Sequence, residues 1–232
     1  GGSATADQFQ VNIATTPTAG DAGVDEAFVI YRPTGQILWA LVDGDGQDAI
    51  NLSLGGGASD ADFLASLQAA VNAGVILTIA AGNTGGADPL NPANLATTAS
   101  FNGQIIAVGA VDSSNAIAAF SNRAGTVQNF YLAAPGVNIV TTDIGGGTTT
   151  VNGTSFAGPH VAGAVALTRQ RFPALSAAQI VSALLAAATD LGAAGTDAIF
   201  GRGLLNVSAA LAPLGATSLP AGATTAEEAR AL

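Results

Sequence analysis

The chain has 232 residues, of which 49% are hydrophobic, and this length allows one sizeable domain with a well-buried core. Its formal net charge of −10, with six arginines and no lysine, makes a polyanion such as nucleic acid a poor partner. No apolar run is long and pure enough to span a bilayer, and the absence of cysteine excludes a disulfide framework.

In chain order, the first half of the sequence predicts short strands and one amphipathic helix after a weakly periodic start. A predicted short helix at 36–42 follows the first strand. Ser59 or Asp60 caps a longer helix that runs to about Ala73, and Gly74 stands where a C-terminal cap belongs. The predicted strands of this half cover residues 27–32, 48–55 and 75–82. The last strand is continuously apolar, so the strand–helix–strand order predicts a parallel sheet covered on both faces.

The second half of the sequence predicts three further strands and two helices. The strands cover residues 105–111, 130–133 and 137–141, and the helices cover residues 155–171 and 177–188. A turn at 145–147 precedes the first of these helices, and Ser176 caps the second.

The stretch NGTSFAGPHVAG at 152–163 places a serine at the start of the first of these helices. A serine hydroxyl needs a base to remove its proton, and the tetrahedral intermediate needs donors aimed at its negative oxygen. Free N–H groups at a helix N-terminus meet the second need. The small residues Gly153, Ala157 and Gly158 allow a substrate backbone to approach. Taken alone, Ser155 is explained more simply as the N-cap of the helix.

Several blocks resemble those of the subtilisin-like serine proteases, the subtilases, in the same order and with similar spacing. GTSFAGPHVAG is similar to the nucleophile motif of that family, and GVILTIAAGN at 74–83 to the segment that ends in its oxyanion-hole asparagine. The other blocks are INLSLGGG at 50–57, IIAVGAVDSSN at 105–115, LAAPGVNIVTT at 132–142 and FGRGLLNVSAAL at 200–211. The resemblance implies a three-layer αβα fold with a mostly parallel central sheet, whose N-terminal part is missing.

Carried over residue by residue, the resemblance implies a site for peptide-bond hydrolysis. Ser155 becomes the nucleophile, and Asn83 becomes the side-chain donor of the oxyanion hole, together with the backbone N–H of Ser155. Three residues imply an edge for an extended substrate strand: Ser53, Leu54 and Gly55. Three small residues imply a roomy apolar pocket for the residue before the scissile bond: Ala80, Ala81 and Gly82.

The single histidine, His160, is not predicted to be the base that this serine needs. It follows Ser155 by five positions, roughly 140° around a helix, so the two side chains face different directions. We predict a packed, hydrogen-bonded structural histidine. Subtilases place the acid and the histidine before the serine, yet no histidine precedes Ser155, and DAGV at 21–24 lies too close to INLSLGGG to leave room for one. We therefore expect the missing His and Asp in an N-terminal part that has been removed or that belongs to a separate, bound chain.

The resemblance also suggests how the chain is organised and where the protein acts. The expected division is a poorly matched segment at 1–47, the C-terminal portion of a subtilase catalytic domain at 48–212, and a tail or linker at 213–232. ALAPLGATSLP at 210–220 resembles the segment that follows the protease domain in bacterial subtilase autotransporters. This similarity implies a secreted or cell-surface protein.

No cofactor is expected to be required, and no metal ligand is assigned. VDGDGQD at 42–48 resembles part of a calcium loop, but Leu54 stands where an EF-hand needs glutamate. We interpret this stretch as a solvated turn. Because subtilases often bind calcium, a structural ion elsewhere stays open, with unknown ligands.

The sequence leaves three functions open. The first is a serine endopeptidase acting on protein or peptide substrates. The second is a serine esterase or polyester hydrolase, which would share acyl transfer to Ser155. The third is a catalytically inactive subtilase-fold fragment that binds peptides or has a structural role. Rates on a casein-type protein and on a simple ester separate the first two, and labelling by a fluorophosphonate separates both from the third.

Overall fold

The computed structural model describes residues 49–143 and 146–212, together with the backbone of three strands before residue 49. The strands are β1 (Asn12–Ala14), β2 (Val29–Tyr31), β3 (Ile37–Trp39), β4 (Ala49–Leu52), β5 (Ile76–Ala80), β6 (Ile105–Val111), β7 (Tyr131–Pro135), β8 (Ile139–Thr142) and β9 (Thr148–Val151). The helices are α1 (Ala61–Asn72), α2 (Thr154–Arg171), α3 (Ala177–Ala186) and α4 (Val207–Ala210). Short 3-10 turns lie at Ala93–Thr97, Ala99–Phe101 and Gly125–Phe130.

A mostly parallel sheet forms the centre of the described region. Strands β4, β5, β6 and β7 lie side by side in that order and run parallel, while β1 lies antiparallel beside β4 at one edge. Every residue of β4, β5 and β6 is buried. The continuous apolar runs in the sequence have this origin, since a strand covered on both faces has no solvent side. The predicted mostly parallel sheet is confirmed.

Two hydrophobic cores cover the two faces of the sheet, because successive side chains of a strand point to opposite faces. On one face, Ile76 and Ile106 pack with buried residues of α2 and α3. On the other face, Leu77 and Ile105 pack with buried residues of α1. The predicted three-layer αβα architecture is therefore confirmed, with α2 and α3 on one face of the sheet and α1 on the opposite face.

Side-chain caps fix where the helices α1 and α3 begin. The carboxylate of Asp60 accepts a hydrogen bond from the backbone N–H of Phe63. Ser176 and Gln179 form a reciprocal capping box at the start of α3. Gly74 follows α1 with a φ of +84°, as expected for a residue just beyond a helix end. Within residues 49–143 and 146–212, no helix has the length and apolarity needed to cross a bilayer.

Three secondary-structure predictions differ from the structure. The short helix predicted at 36–42 is wrong, because β3 forms a strand there that pairs antiparallel with β2. Its Ile-Leu-Trp triplet is too short for periodicity to separate helix from strand, and a pairing partner favours the strand. Strands β1 and β9 were not predicted: β1 is the triplet Asn-Ile-Ala, too short for a periodic signal, and β9 is a run of threonines that follows three glycines. Helix α3 ends at Ala186, before the predicted residue 188.

A close contact at the centre of the sheet requires a glycine on β6. The buried ring of Tyr131 crosses Gly109, and a Cβ built on Gly109 would overlap the phenol oxygen and lie 2.5 Å from Cζ. The Tyr131 hydroxyl donates a 2.8 Å hydrogen bond to the carbonyl of Asn122. Burial raises the pKa of this phenol well above its usual value, so it stays a neutral donor. The tyrosine therefore ties the sheet to the loop that contains Asn122.

Candidate active site

The predicted site residues come together where the parallel strands end. Ser53 follows β4, Asn83 follows β5 after two residues, and Ser155 lies in the first turn of α2. Carboxyl ends of parallel strands meet at one edge of a sheet, where ligands bind in open α/β folds. Residues far apart in the sequence thereby meet at one end of the sheet.

Ser155 is the second residue of α2 and is half-buried. The N-cap position belongs to Gly153, which has no side chain to bond the helix, so the simpler explanation of Ser155 as an N-cap is wrong. Gly153 has φ and ψ of 156° and 154°, a conformation that side chains rarely allow. This position in the first turn directs the backbone N–H of Ser155 and its partial positive charge out of the helix end.

Asn83 is held in one orientation by the residue before the serine. Its Oδ1 accepts two hydrogen bonds of 2.9 Å from Thr154, one from the backbone N–H and one from the hydroxyl. Because Oδ1 is bound in this way, the amide Nδ2 is the free end of the exposed side chain. Nδ2 lies beside Gly153, 3.6 Å from the position that a Cβ would take there. An amide donor is thus fixed next to the N-terminus of α2.

Thr154 is the part of this arrangement that the sequence analysis missed. Its side chain is buried, and its hydroxyl oxygen also accepts a 3.3 Å hydrogen bond from the backbone N–H of Gly82. The threonine therefore links the turn after β5 to the start of α2. A buried hydroxyl residue beside the predicted nucleophile was the available signal, but its partners are more than 70 positions away in the sequence.

A second buried side chain holds the loop that follows Asn83. The Oδ1 of Asn122 accepts hydrogen bonds from the backbone N–H and the hydroxyl of Thr84, and its Nδ2 donates to the carbonyl of Asp88. Asp88 in turn accepts from the backbone N–H of Thr126, and this hydrogen bond lowers the pKa of its carboxyl. Together with the bond from Tyr131 to Asn122, these contacts connect the loop to the core of the sheet.

The residues predicted to form the substrate edge lie at the end of β4. Leu54 is half-buried and Gly55 is exposed, so backbone groups of this segment are accessible. The Ser53 side chain has a different partner, because its hydroxyl donates a 2.7 Å hydrogen bond to the carbonyl of Ser155. The edge segment and the predicted nucleophile are therefore in direct contact.

The residues predicted to line a roomy pocket lie beside a leucine that the sequence analysis did not identify. Ala80 and Ala81 are buried, and a Cβ built on Gly82 would lie 2.7 Å from Cδ1 of Leu90. The Cβ of Leu90 also lies 3.8 Å from the corresponding position on Gly55. Its backbone N–H donates to the carbonyl of Ala81. The Leu90 side chain thus occupies space between the edge segment and the pocket residues, and the site is narrower than small residues alone suggest.

His160 faces solvent rather than the interior. Its Nδ1 lies 2.8 Å from the carbonyl of Phe156, one turn earlier in the same helix. The histidine is hydrogen-bonded as predicted, but it is exposed and not packed. Its place in α2, five residues after Ser155, keeps it from serving as the base of this serine.

The structural ion that the sequence leaves open still has no assigned ligands. VDGDGQD at 42–48 and the tail at 213–232 lie outside the described residues. In the part of the chain that the structure describes, no group of three or more His, Cys, Asp or Glu side chains is arranged to hold an ion.

Comparison with known proteins gives matches over most of the chain. The family model described as the subtilase family matches residues 19–203. Subtilisin DY of Bacillus licheniformis is 38% identical over 174 residues, which make up 75% of this chain and 60% of that protein. Subtilisin E of Bacillus subtilis (strain 168) is 39% identical over 178 residues, which make up 75% of this chain and 43% of that protein.

Two solved structures have a similar fold. The prenylagaramide maturation protease PagA superposes with a TM-score of 0.61 at 31% identity, covering 72% of this chain and 62% of that one. The patellamide maturation protease PatA gives a TM-score of 0.61 at 32% identity, with the same coverage. The chain thus spans less than two thirds of each of these relatives. With a family match that extends over residues 19–203, the chain belongs to the subtilase family.

Proposed function

We propose that the chain carries the nucleophile and the oxyanion hole of a serine endopeptidase. The observation that carries this proposal is the fixed amide of Asn83, whose Oδ1 is bound by Thr154 while Nδ2 lies beside the first turn of α2. Two donors, this amide and the backbone N–H of Ser155, would then stabilise the same oxyanion. Donors that are fixed before the reaction need no reorganisation when the charge develops.

The proposed reaction proceeds through an acyl-enzyme. A base takes the hydroxyl proton of Ser155 while the oxygen attacks the substrate carbonyl, and the same group returns the proton to the leaving amine. Water then hydrolyses the ester. The base and its orienting carboxylate would come from a polypeptide that carries the His and Asp that precede the serine in subtilases. Proteins or peptides are the proposed substrates, and similarity to Bacillus subtilisins supports action outside the cell.

Labelling with a fluorophosphonate, combined with intact-mass and N-terminal analysis of the purified material, tests this proposal. We expect Ser155 to be labelled when a polypeptide bearing the missing histidine and aspartate is present. Ser155→Ala should abolish the label, whereas Ser182→Ala, at an exposed position of α3, should leave it unchanged. Labelling that persists in Ser155→Ala would refute the assignment of the nucleophile. Full activity of a sample that contains this chain alone would refute the assignment of the base.

We further propose that Leu90 restricts the substrate residue before the scissile bond to small side chains. The test compares kcat/KM for two peptides, one with Leu and one with Ala at that position. The ratio of the Leu peptide to the Ala peptide should be about 10-fold or more higher in Leu90→Ala than in the parent, because removed methylenes in an apolar pocket have effects of this size. Leu64→Ala, which shortens a half-buried leucine on α1, serves as the control. An unchanged ratio of the two rates in Leu90→Ala would show that this side chain does not limit the pocket.

A further inference from the structure

A proline interrupts the hydrogen bonding of α2 at the turn that begins with Ser155. In an α-helix, the carbonyl of residue 155 would accept a hydrogen bond from the N–H of residue 159. That residue is Pro159, which has no N–H and whose ring crowds the carbonyl four positions earlier. The sequence therefore deprives the backbone of Ser155 of its helical donor. A polar group left without a partner in a packed region is unfavourable, so another donor is needed.

The donor comes from the strand that leads to the substrate edge. Ser53 Oγ donates a 2.7 Å hydrogen bond to the carbonyl of Ser155, across 102 positions of the sequence. Ser53 Oγ itself accepts a 2.8 Å hydrogen bond from Nδ2 of Asn51. This second bond matters because it occupies a lone pair of the hydroxyl and leaves its proton directed at Ser155.

The side chain of Asn51 is likewise held in place, by buried residues on β5 and α2. Its side chain is fully buried in β4, and its Oδ1 accepts a 3.3 Å hydrogen bond from the hydroxyl of Thr78 on β5. Helix α2 approaches this oxygen so closely at Gly158 that a Cβ there would overlap it. A chain of three side chains thus runs from the centre of the sheet to the carbonyl of Ser155.

We propose that Asn51 and Ser53 are positioning residues for acyl transfer, with the Ser53 hydroxyl replacing the helical donor that Pro159 removes. The inference rests on the proposed function of Ser155. The bond fixes the backbone of Ser155 relative to the edge segment at Ser53, Leu54 and Gly55 and so sets the distance between nucleophile and bound substrate. Ser53 acts on the reaction through Ser155 and does not exchange a proton with the substrate.

Kinetics of a double-mutant cycle test the role in catalysis. Ser53→Ala should lower kcat by about 10-fold with KM changed by less than about 2-fold, because misplacement affects the reacting geometry more than binding. Pro159→Ala supplies an N–H to the same carbonyl, so Ser53→Ala in that background should lower kcat by less than about 2-fold. Ser66→Ala is the matched control. The Ser66 hydroxyl also donates to a helix carbonyl, that of Asp62, but this carbonyl has no proline four positions later and keeps its ordinary helical N–H donor.

A spectroscopic measurement tests the hydrogen bond without any need for catalysis. Labelling serine with ¹³C at the carbonyl and phenylalanine with ¹⁵N selects the two Ser-Phe pairs of the chain, at 100–101 and 155–156. Ser100→Ala removes the first signal and assigns the second. Ser53→Ala should shift the remaining carbonyl resonance upfield, since the carbonyl loses a donor, and the shift should be much smaller in the Pro159→Ala background. Asn51→Leu should also shift the resonance upfield, by less than Ser53→Ala does, because leucine is similar in size but donates no hydrogen bond to Ser53 Oγ, so the hydroxyl proton is no longer directed at Ser155.

The two measurements separate failure of this inference from failure of the proposed function. A carbonyl resonance that does not move in Ser53→Ala, or an equal loss of kcat in both backgrounds, would overturn the positioning role. If every variant and the parent chain with its partner were inactive, the proposed endopeptidase would fail, and the carbonyl signal would still decide whether Ser53 replaces the missing helical donor.

Discussion

Replacing Asn83 by alanine is expected to lower kcat by about 100- to 1000-fold with little change in KM, the size known from removal of one such donor in subtilisin. The reason lies in the geometry around the side chain. Thr154 binds Oδ1 twice, so the amide Nδ2 cannot rotate away from the end of α2 without breaking two hydrogen bonds. A donor fixed in this way contributes mainly when negative charge develops on the substrate oxygen, which is why kcat and not KM should fall.

Two controls make this measurement decisive. Asn129→Ala, at an exposed asparagine of the Gly125–Phe130 turn, should leave kcat unchanged. Fluorophosphonate labelling of Asn83→Ala should still occur at Ser155, although more slowly, because the nucleophile itself is intact. A kcat within about 3-fold of the parent would show that Asn83 does not stabilise the oxyanion, because so small a loss lies well outside the range that removal of such a donor gives.

Replacing Gly109 by alanine is expected to destabilise the protein by at least about 4 kcal/mol, at the upper end of what single substitutions do. The added methyl would overlap the phenol of Tyr131, which is fully buried on the adjacent strand β7. Neither group can move outward, because β6 is the strand between β5 and β7 and is buried along its length. Urea denaturation followed by circular dichroism gives the free energy of unfolding of each variant.

Gly163→Ala is the matched control for this substitution. Gly163 lies on the exposed side of α2, and nothing is within 4 Å of the position of its Cβ. Alanine in a helix interior loses less conformational entropy on folding than glycine, so this change should be neutral or stabilising by up to about 1 kcal/mol. Equal changes in the free energy of unfolding for the two substitutions would show that the close contact with Tyr131 is not what requires a glycine at position 109.

The sequence predicts the layers of the fold well, because their signals are local. The continuous apolar runs of β5 and β6 and the amphipathic spacing of α1 each follow from a single short window. The prediction fails at 36–42, where a short apolar triplet is shared by helix and strand and only the pairing with β2 decides. Strand β9 was missed for the same reason, since TTTV becomes a strand only through its pairing with β8.

The residues of the candidate site likewise divide into those with a local sequence signal, which were predicted, and those that depend on distant partners, which were not. Asn83 and Ser155 were identified because each lies in a block of the sequence with family resemblance, and the structure brings their backbones to one end of the sheet. Leu90 and Thr154 were missed because their importance depends on partners in other segments: Leu90 on Gly82 and Gly55, and Thr154 on Asn83. Short windows carry no information about which loop folds back onto which strand.

The hydrogen bonds that assemble the site also order the events of folding. Asn83 and Thr154 are 71 positions apart in the sequence, and Ser53 and Ser155 are 102 apart. Contacts of such separation form only after the entropy of closing long loops has been overcome, which in parallel sheets happens late. A chain whose sheet is still incomplete therefore has a serine but no arranged donors around it. Nascent molecules would remain inert until the last strands are in place, and, with the polypeptide that supplies the base present, the onset of reactivity at Ser155 would mark the completion of the native structure.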